Sequence, residues 1–274
     1  MKSIPGLSAC IITLNEQDNL PDCLRSLDFV SEIVIVDSGS RDNTQKIARA
    51  AGARLFKREF DNYIDQKNFA IQKARGPWIL FLDADERIDV RLNAEIRKLF
   101  SASPGSDISR GSSPVKPEVR PSTAGYKVPR RTFYLGRWIR HSGWYPDYSI
   151  RLFRKGSGQF EGRTFHETVK IRGRAGKLHN PILHFSYRSI RQHLDVINRY
   201  SELFARERLS LGKRNGVLFS LGKGLIKFLT MYVWRLGFLD GRAGLVIAVL
   251  GSYYNFLKYI KVWEYSRRTK ASEH

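Results

Sequence analysis

The 274-residue sequence predicts an α/β fold, a mostly parallel sheet flanked by helices, followed by a basic, amphipathic helical region. Three observations lead there: apolar runs alternating with helical patterns over the first hundred residues, strand-like alternation after residue 125, and a charge excess confined to the second half. With 42% hydrophobic residues the chain can bury a sizeable core, which excludes wholesale disorder.

The strands come first. Residues 9–13, 33–36, 54–56 and 78–82 are short, nearly continuous apolar runs rich in β-branched side chains, as strands covered on both faces should be. Between them lie helical spacings: Leu20, Cys23, Leu24 and Leu27; then Ile47, Ala48 and Ala51 closed by Gly52; then Phe69, Ala70 and Ala74 before Gly76. Strand and helix alternating in this way make βαβ units with right-handed crossovers, hence a parallel sheet whose ligand crevice lies beyond the carboxyl ends of the strands.

Residues 101–125 break the pattern. Ser, Pro and Gly fill 14 of these 25 positions, which reads as a flexible insertion. Strand alternation resumes at 126–134 and 149–153, and Leu194, Ile197, Leu203 and Phe204 mark a helix over 190–209.

Charge is distributed unevenly. Residues 1–125 carry 18 basic and 17 acidic side chains, whereas 126–274 carry 29 and 9, so nearly all of the +21 belongs to the second part. Such a field attracts polyanions, and its other contents suggest which. Residues 217–236 mix Leu, Phe, Ile, Tyr and Trp with Lys223, Lys227 and Arg235, and no acid occurs between Glu207 and Asp240. The uncharged stretch around 243–255 is shorter than the roughly 20 residues of a spanning helix, so helices lying in the plane of an anionic leaflet are expected. Only Cys10 and Cys23 are present, which excludes a disulfide scaffold and fits a reducing compartment; residues 1–8 lack the apolar core of a signal peptide.

Three strand ends carry the chemistry. The first runs into Thr13, Leu14, Asn15 and Glu16, the second into Asp37 and Ser38, and the fourth into Asp83, Ala84, Asp85 and Glu86. Carboxylates two apart on a turn after a buried strand can offer oxygens to Mg²⁺ or Mn²⁺ bound with a diphosphate. An Asp-x-Asp alone often only solvates a turn, and Asp37 alone can be a turn former with Asp42 capping the next helix. The conjunction of the three ends is the signal.

The segments Cys-Ile-Ile-Thr-Leu-Asn-Glu at 10–16, Glu-Ile-Val-Ile-Val-Asp-Ser-Gly-Ser at 32–40 and Trp-Ile-Leu-Phe-Leu-Asp-Ala-Asp-Glu at 78–86 resemble the inverting family 2 glycosyltransferases of the GT-A fold. Within that family the chain is similar to bacterial lipopolysaccharide inner-core β-glucosyltransferases, through Arg-Leu-Phe-Arg-Lys at 151–155, Phe-Glu-Gly at 160–162, His166-Glu167 and Gly-Phe-Leu-Asp-Gly at 237–241; residues 101–125 fall outside the likeness. The resemblance implies a UDP-sugar donor, UDP-glucose foremost, with Mg²⁺ or Mn²⁺ as cofactor. Thr13, Asn15, Glu16 and Asp37 would line the nucleoside, Lys67 would approach the nucleotide, Asp83 would lie by the ribose or metal, and Asp85 would ligate the metal, with His166 completing its shell. Inversion needs a base on the acceptor side. Asp147 is the favoured one, Glu167 its rival and Glu161 a third candidate, while Arg151, Arg154 and Arg163 can hold phosphates through guanidinium forks.

The implied division is a nucleotide-sugar half over 1–100, the insertion over 101–125, an acceptor half over 126–189 and a basic helical region over 190–274. The implied acceptor is a heptose or similar sugar of a lipid-linked, phosphorylated core oligosaccharide. The enzyme would then be cytoplasmic, peripheral on the inner face of a bacterial inner membrane. A polyprenyl-phosphate or other glycolipid transferase is the alternative within enzymes. A nucleic-acid-binding protein is a remote one, because the basic residues are interleaved with membrane-like apolar stretches rather than stacking motifs.

Overall fold

β-Branched runs with apolar residues on both faces fold where the sequence places them. The computed structural model describes residues 2–101, 123–162 and 167–271. In chain order the elements begin with β1 (Ile4–Thr13), α1 (Leu20–Arg25), β2 (Val30–Asp37), α2 (Thr44–Ala50), β3 (Arg54–Lys57), α3 (Tyr63–Lys73), β4 (Trp78–Asp83), β5 (Glu86–Ile88) and α4 (Val90–Ser101). They continue with β6 (Thr123–Tyr134), β7 (Arg137–Trp138), β8 (Asp147–Arg154), β9 (Gly158–Glu161), β10 (Thr168–Ile171), β11 (Arg174–Lys177) and β12 (Ile182–His184). The chain closes with α5 (Ile190–Ser210), α6 (Val217–Leu229) and α7 (Gly241–Ala271). Two compact units result, residues 1–130 with 148–184, and residues 131–147 with 185–274.

The first unit is a curled, mixed sheet in the order β3-β2-β1-β4-β8-β6-β12-β5. β3, β2, β1 and β4 run parallel, and β8 joins β4 antiparallel, opposing Leu80 with Leu152. Alternation divides the core. Ala9, Ile11 and Leu80 pack with Leu20, Leu27 and Ile96 on one face, while Cys10, Val34 and Phe81 pack with Ala70 and Ile71 of α3 on the other. Each strand therefore reads as a continuous apolar run because neither face meets water. Gly52 ends α2 at φ +71°, and the Ala53 N–H reaches back to the Ala48 carbonyl, a left-handed helix stop. Gly76 is required by proximity, since a Cβ there would lie 2.4 Å from the Gly6 carbonyl oxygen. Both cysteines are free and buried.

The second unit is helical. The Ser189 side chain accepts from the Gln192 N–H to start α5. α6 continues through a wider turn at Thr230–Trp234, and Leu236 at φ 53° leads into a short turn at Gly237–Asp240 before α7. Asp240, buried, accepts from the Arg140 and His141 N–H groups and contacts His141 Nδ1 at 3.2 Å, so the Gly-Phe-Leu-Asp-Gly segment ties the helical turn to the loop after β7.

The helices differ from expectation in length. Val217–Trp234 and Gly237–Arg267, at 18 and 31 residues, are long and apolar enough to cross a membrane by length and composition. The backbone does not stop where charge begins: Arg242 and Lys258 lie within the second helix, and such side chains can carry their charge outward along an apolar stem. Leu218, Leu225 and Trp234 are 84%, 62% and 68% exposed, a surface that water does not favour.

Candidate active site

Strand register brings the predicted ends together. Thr13 pairs with Asp37, and Ile12 with Asp83, so the carboxyl ends of β1, β2 and β4 lie level. β2 lies to one side of β1 and β4 to the other, a reversal at which a parallel sheet opens a crevice.

Asp37 is wholly buried. Its Oδ1 accepts from the Gly39 and Ser40 N–H groups at 3.1 and 2.9 Å and from Gln45 Nε2 at 2.8 Å; its Oδ2 accepts from Thr13 Oγ1 at 3.0 Å and from the Ser40 hydroxyl. A carboxylate taken from water needs such donors. Here they fold the loop after β2 around it. The loop after β1 is laced to that loop. Asn15, at φ 55°, donates its N–H to Ser40 Oγ at 2.8 Å and accepts from the Arg41 N–H at 2.9 Å, while the Glu16 N–H donates to Thr44 Oγ1 at 2.7 Å. Asn tolerates the left-handed backbone better than other non-glycine residues. Asn15 stays exposed and Glu16 half-buried, the latter accepting from Asn19 Nδ2 at 2.8 Å. Asp42 accepts from the Thr44 N–H at 2.9 Å and the Gln17 N–H at 3.1 Å, but the cap position of α2 falls to Asn43, whose side chain makes no cap bond.

A second cluster sits at the end of β4. Lys67 Nζ, on α3, is 3.4 Å from Asp83 Oδ1 and 3.0 Å from Glu167 Oε1, with the rings of Phe81 and Phe160 beneath it. Arg151, on β8, donates to Asp83 Oδ2 at 3.3 Å and to Glu86 Oε1 at 2.7 Å. Burial opposes ionisation of Asp83, but the Lys67 and Arg151 charges outweigh it and hold the carboxyl well below its usual range. Burial also opposes the charge on Lys67, yet Asp83 and Glu167 prevail and keep it protonated more firmly than usual. Glu86, with no solvent exposure, is pushed upward chiefly by burial, although Arg151 and Arg130 stand beside it.

Asp85 is placed differently. It is a quarter exposed, and its Oδ2 lies 3.2 Å from His184 Nε2. His184 reaches it because β12 runs antiparallel to β5, setting His184 opposite Glu86. Sequence reading missed His184: it lies a hundred residues from Asp85 in a strand of three residues, and only the strand register reveals the proximity. Among the described residues no group of three or more His, Cys, Asp or Glu side chains converges on one point. Asp85 supplies a carboxylate that suits Mg²⁺ or Mn²⁺, and His184 an imidazole that only the softer Mn²⁺ of the two accepts, with substrate oxygens and water filling the remaining positions.

The remaining candidates scatter. Asp147 opens β8, half-buried, and belongs to the second unit. Glu161 is exposed at the end of β9, accepting from Gln159 at 2.7 Å. Arg154 pairs with Trp78 at the opposite end of β4 from Asp83 and donates to the Thr123 carbonyl at 3.1 Å. His166, Arg163 and residues 102–122 of the insertion expected over 101–125 lie outside the described residues, while its first residue, Ser101, ends α4 and its last three, 123–125, open β6.

The profile of glycosyl transferase family 2 matches residues 8–157. The lipopolysaccharide core biosynthesis glycosyltransferase LpsC of Rhizobium meliloti is 30% identical over 269 residues, covering 94% of this chain and 92% of that protein. The uncharacterized glycosyltransferase RT0209 of Rickettsia typhi is 26% identical, covering 96% and 89%. Among solved structures, S. aureus TarS 1–349 in complex with UDP-GlcNAc superposes with a TM-score of 0.45 at 15% identity, covering 96% of this chain and 92% of that one. Glucosyl-3-phosphoglycerate synthase from Mycobacterium tuberculosis, with Mn²⁺, UDP and glucosyl-3-phosphoglycerate, gives 0.33 at 22% identity, covering 47% and 44%.

Proposed function

The chain belongs to glycosyl transferase family 2, and from that premise we propose that it moves a hexose with inversion from a UDP-sugar, UDP-glucose foremost, to a hydroxyl of a lipid-linked, phosphorylated core oligosaccharide. One observation carries the donor side: the accessible Asp85–His184 pair stands beside the ionised Asp83, at strand ends level with Thr13 and Asp37. The acceptor class rests on LpsC, a lipopolysaccharide core enzyme by its name, which aligns along almost the whole chain.

Each residue then has a task. Asp37 and Thr13 hold together the loop that receives the nucleoside, with Asn15 and Glu16 at its accessible edge. Asp85 and His184 would hold a divalent cation, which when bound neutralises the departing diphosphate. Lys67 and Arg151 fix Asp83 in its ionised form and so set the electrostatics of the crevice. Asp147 takes the proton from the acceptor hydroxyl as that oxygen attacks the anomeric carbon. Glu167 is the rival base. Because one of its oxygens engages Lys67, substituting it also disturbs Asp83, whereas substituting Asp147 should leave donor binding alone.

The two long apolar helices favour one alternative, a polyprenyl-phosphate or other glycolipid acceptor in the same family. Incubating the purified chain with UDP-glucose, Mn²⁺ and either truncated lipid A-core or undecaprenyl phosphate decides between them. Glucose should appear on the core acceptor; transfer to the polyprenyl phosphate alone would move the enzyme to the second class.

A further inference from the structure

The second unit contains a cavity of about 270 Å³ whose wall joins aromatic and cationic side chains. Trp144, Tyr187, Tyr200 and Tyr254 give it aromatic faces, and Lys227 and Arg235 give it charge. No Asp or Glu lines it, and among the described residues neither cation is paired with a carboxylate. His193, also on the wall, adds no charge at neutral pH: burial lowers it to about 4, and its Nδ1 meets the Tyr134 hydroxyl at 2.9 Å. Ser142 supplies an independent sign. It is 2% exposed, it lines the cavity, and its buried hydroxyl has no hydrogen-bond partner. A buried hydroxyl left unpaired is costly, so a ligand oxygen at that point is favoured. Lys227 is part-buried beside the exposed Arg235, and burial and that like charge both work against its ammonium form, a conflict that an anion between them would relieve.

The surroundings say what carries the anion. α6 and α7, which contribute Lys227 and Tyr254 to the wall, expose Leu221, Leu225, Ile226 and Val249 to solvent. We propose that this cavity is a specific site for the phosphate headgroup of an anionic membrane lipid, held by Lys227, Arg235 and the Ser142 hydroxyl, with its acyl chains lying along the apolar helices. The site adds a stoichiometric contact to the diffuse attraction of a basic protein for an anionic leaflet. It rests on the reading that the helical unit meets a membrane, and it needs no particular acceptor sugar.

Calorimetry with dihexanoyl phosphatidylglycerol, kept below its micelle-forming concentration, tests it on the full chain. One lipid should bind per chain, and the Lys227→Gln, Arg235→Gln double variant should bind roughly tenfold more weakly, since charge-assisted bonds to phosphate are lost. Ser142→Ala, a milder change, should weaken binding roughly threefold, with an unchanged far-ultraviolet spectrum showing that the fold persists. Inorganic phosphate should bind at least about tenfold more weakly than the lipid; equal affinity would make this a free-phosphate site and overturn the lipid assignment. Flotation on phosphatidylcholine vesicles containing phosphatidylglycerol separates the two readings. A chain that floats, yet whose variants bind the short-chain lipid as the parent does, keeps its membrane association and loses the cavity site. A chain that does not float loses both.

Discussion

At the scale of single residues, the site contains two kinds of carboxylate. Asp37 and Glu86 are fully buried and surrounded by donors or cations, so they hold loops and strands in place; Asp85 is accessible and faces an imidazole. Removing the imidazole that the accessible one faces should affect chemistry more than folding: His184→Ala should lower turnover and raise the Mn²⁺ concentration needed for half-maximal rate, with little loss of thermal stability. Removing a buried partner should do the opposite. Lys67→Met leaves Asp83 to Arg151 alone and Glu167 without its ammonium partner, and losing such charge-assisted contacts costs roughly 1.5–3 kcal/mol, which urea denaturation would read directly. Asp147→Asn should cut transfer by roughly 100-fold or more while UDP binding by calorimetry persists; full activity in that variant would pass the base to Glu167. Much of this was legible in the residues. The acids at three strand ends announced a crevice, because a parallel sheet leaves no other place for them. What could not be read was their division of labour, since burial and partner count depend on loops folding back: nothing in the sequence near Asp37 says that five donors close on it. Nor could His184 be linked to Asp85 without the register of β12 on β5.

At the scale of elements, long periodic segments were readable and, β3 apart, short ones were not. β1, β2, β4 and α5 lie within a few residues of their expected bounds, because their apolar periods are sustained. β5, β9, β10, β11 and β12, of three or four residues each, have too few side chains to show a period. The helices of the second unit ran longer than their charge pattern suggested, since a lysine or arginine does not end a helix. One element carries a pH dependence. His193 on α5 is neutral when folded, at about 4 against 6.5 in an exposed histidine, so the unfolded chain takes up the proton first as pH falls. Stability is therefore full above pH 6.5 and falls toward pH 4, by about 2 kcal/mol at pH 5 as an order of magnitude. Thermal melts at pH 7 and pH 5 should show the helical unit weakening, and His193→Phe should remove most of the slope.

At the scale of the whole molecule, the charge has a place. Residues 1–125 are nearly neutral, with Asp37, Asp83, Asp85 and Glu86 among their acids, while the rest is strongly basic and ends in helices with exposed apolar side chains. That combination suits a membrane whose surface is anionic, and duplex DNA should fail to compete with anionic vesicles for the chain at physiological salt. The two requirements of the proposed reaction, a soluble charged donor and a lipid-borne acceptor, are thus matched by two chemically different parts of one chain. The most direct test is transfer of radiolabelled glucose from UDP-glucose to lipid A-core acceptors of graded length, comparing the parent chain with Asp85→Ala in the presence of Mn²⁺. The parent should add a single glucose to one acceptor length, and the variant should lose roughly 100-fold in rate with its fold intact. A variant that transfers glucose as fast as the parent would contradict the account.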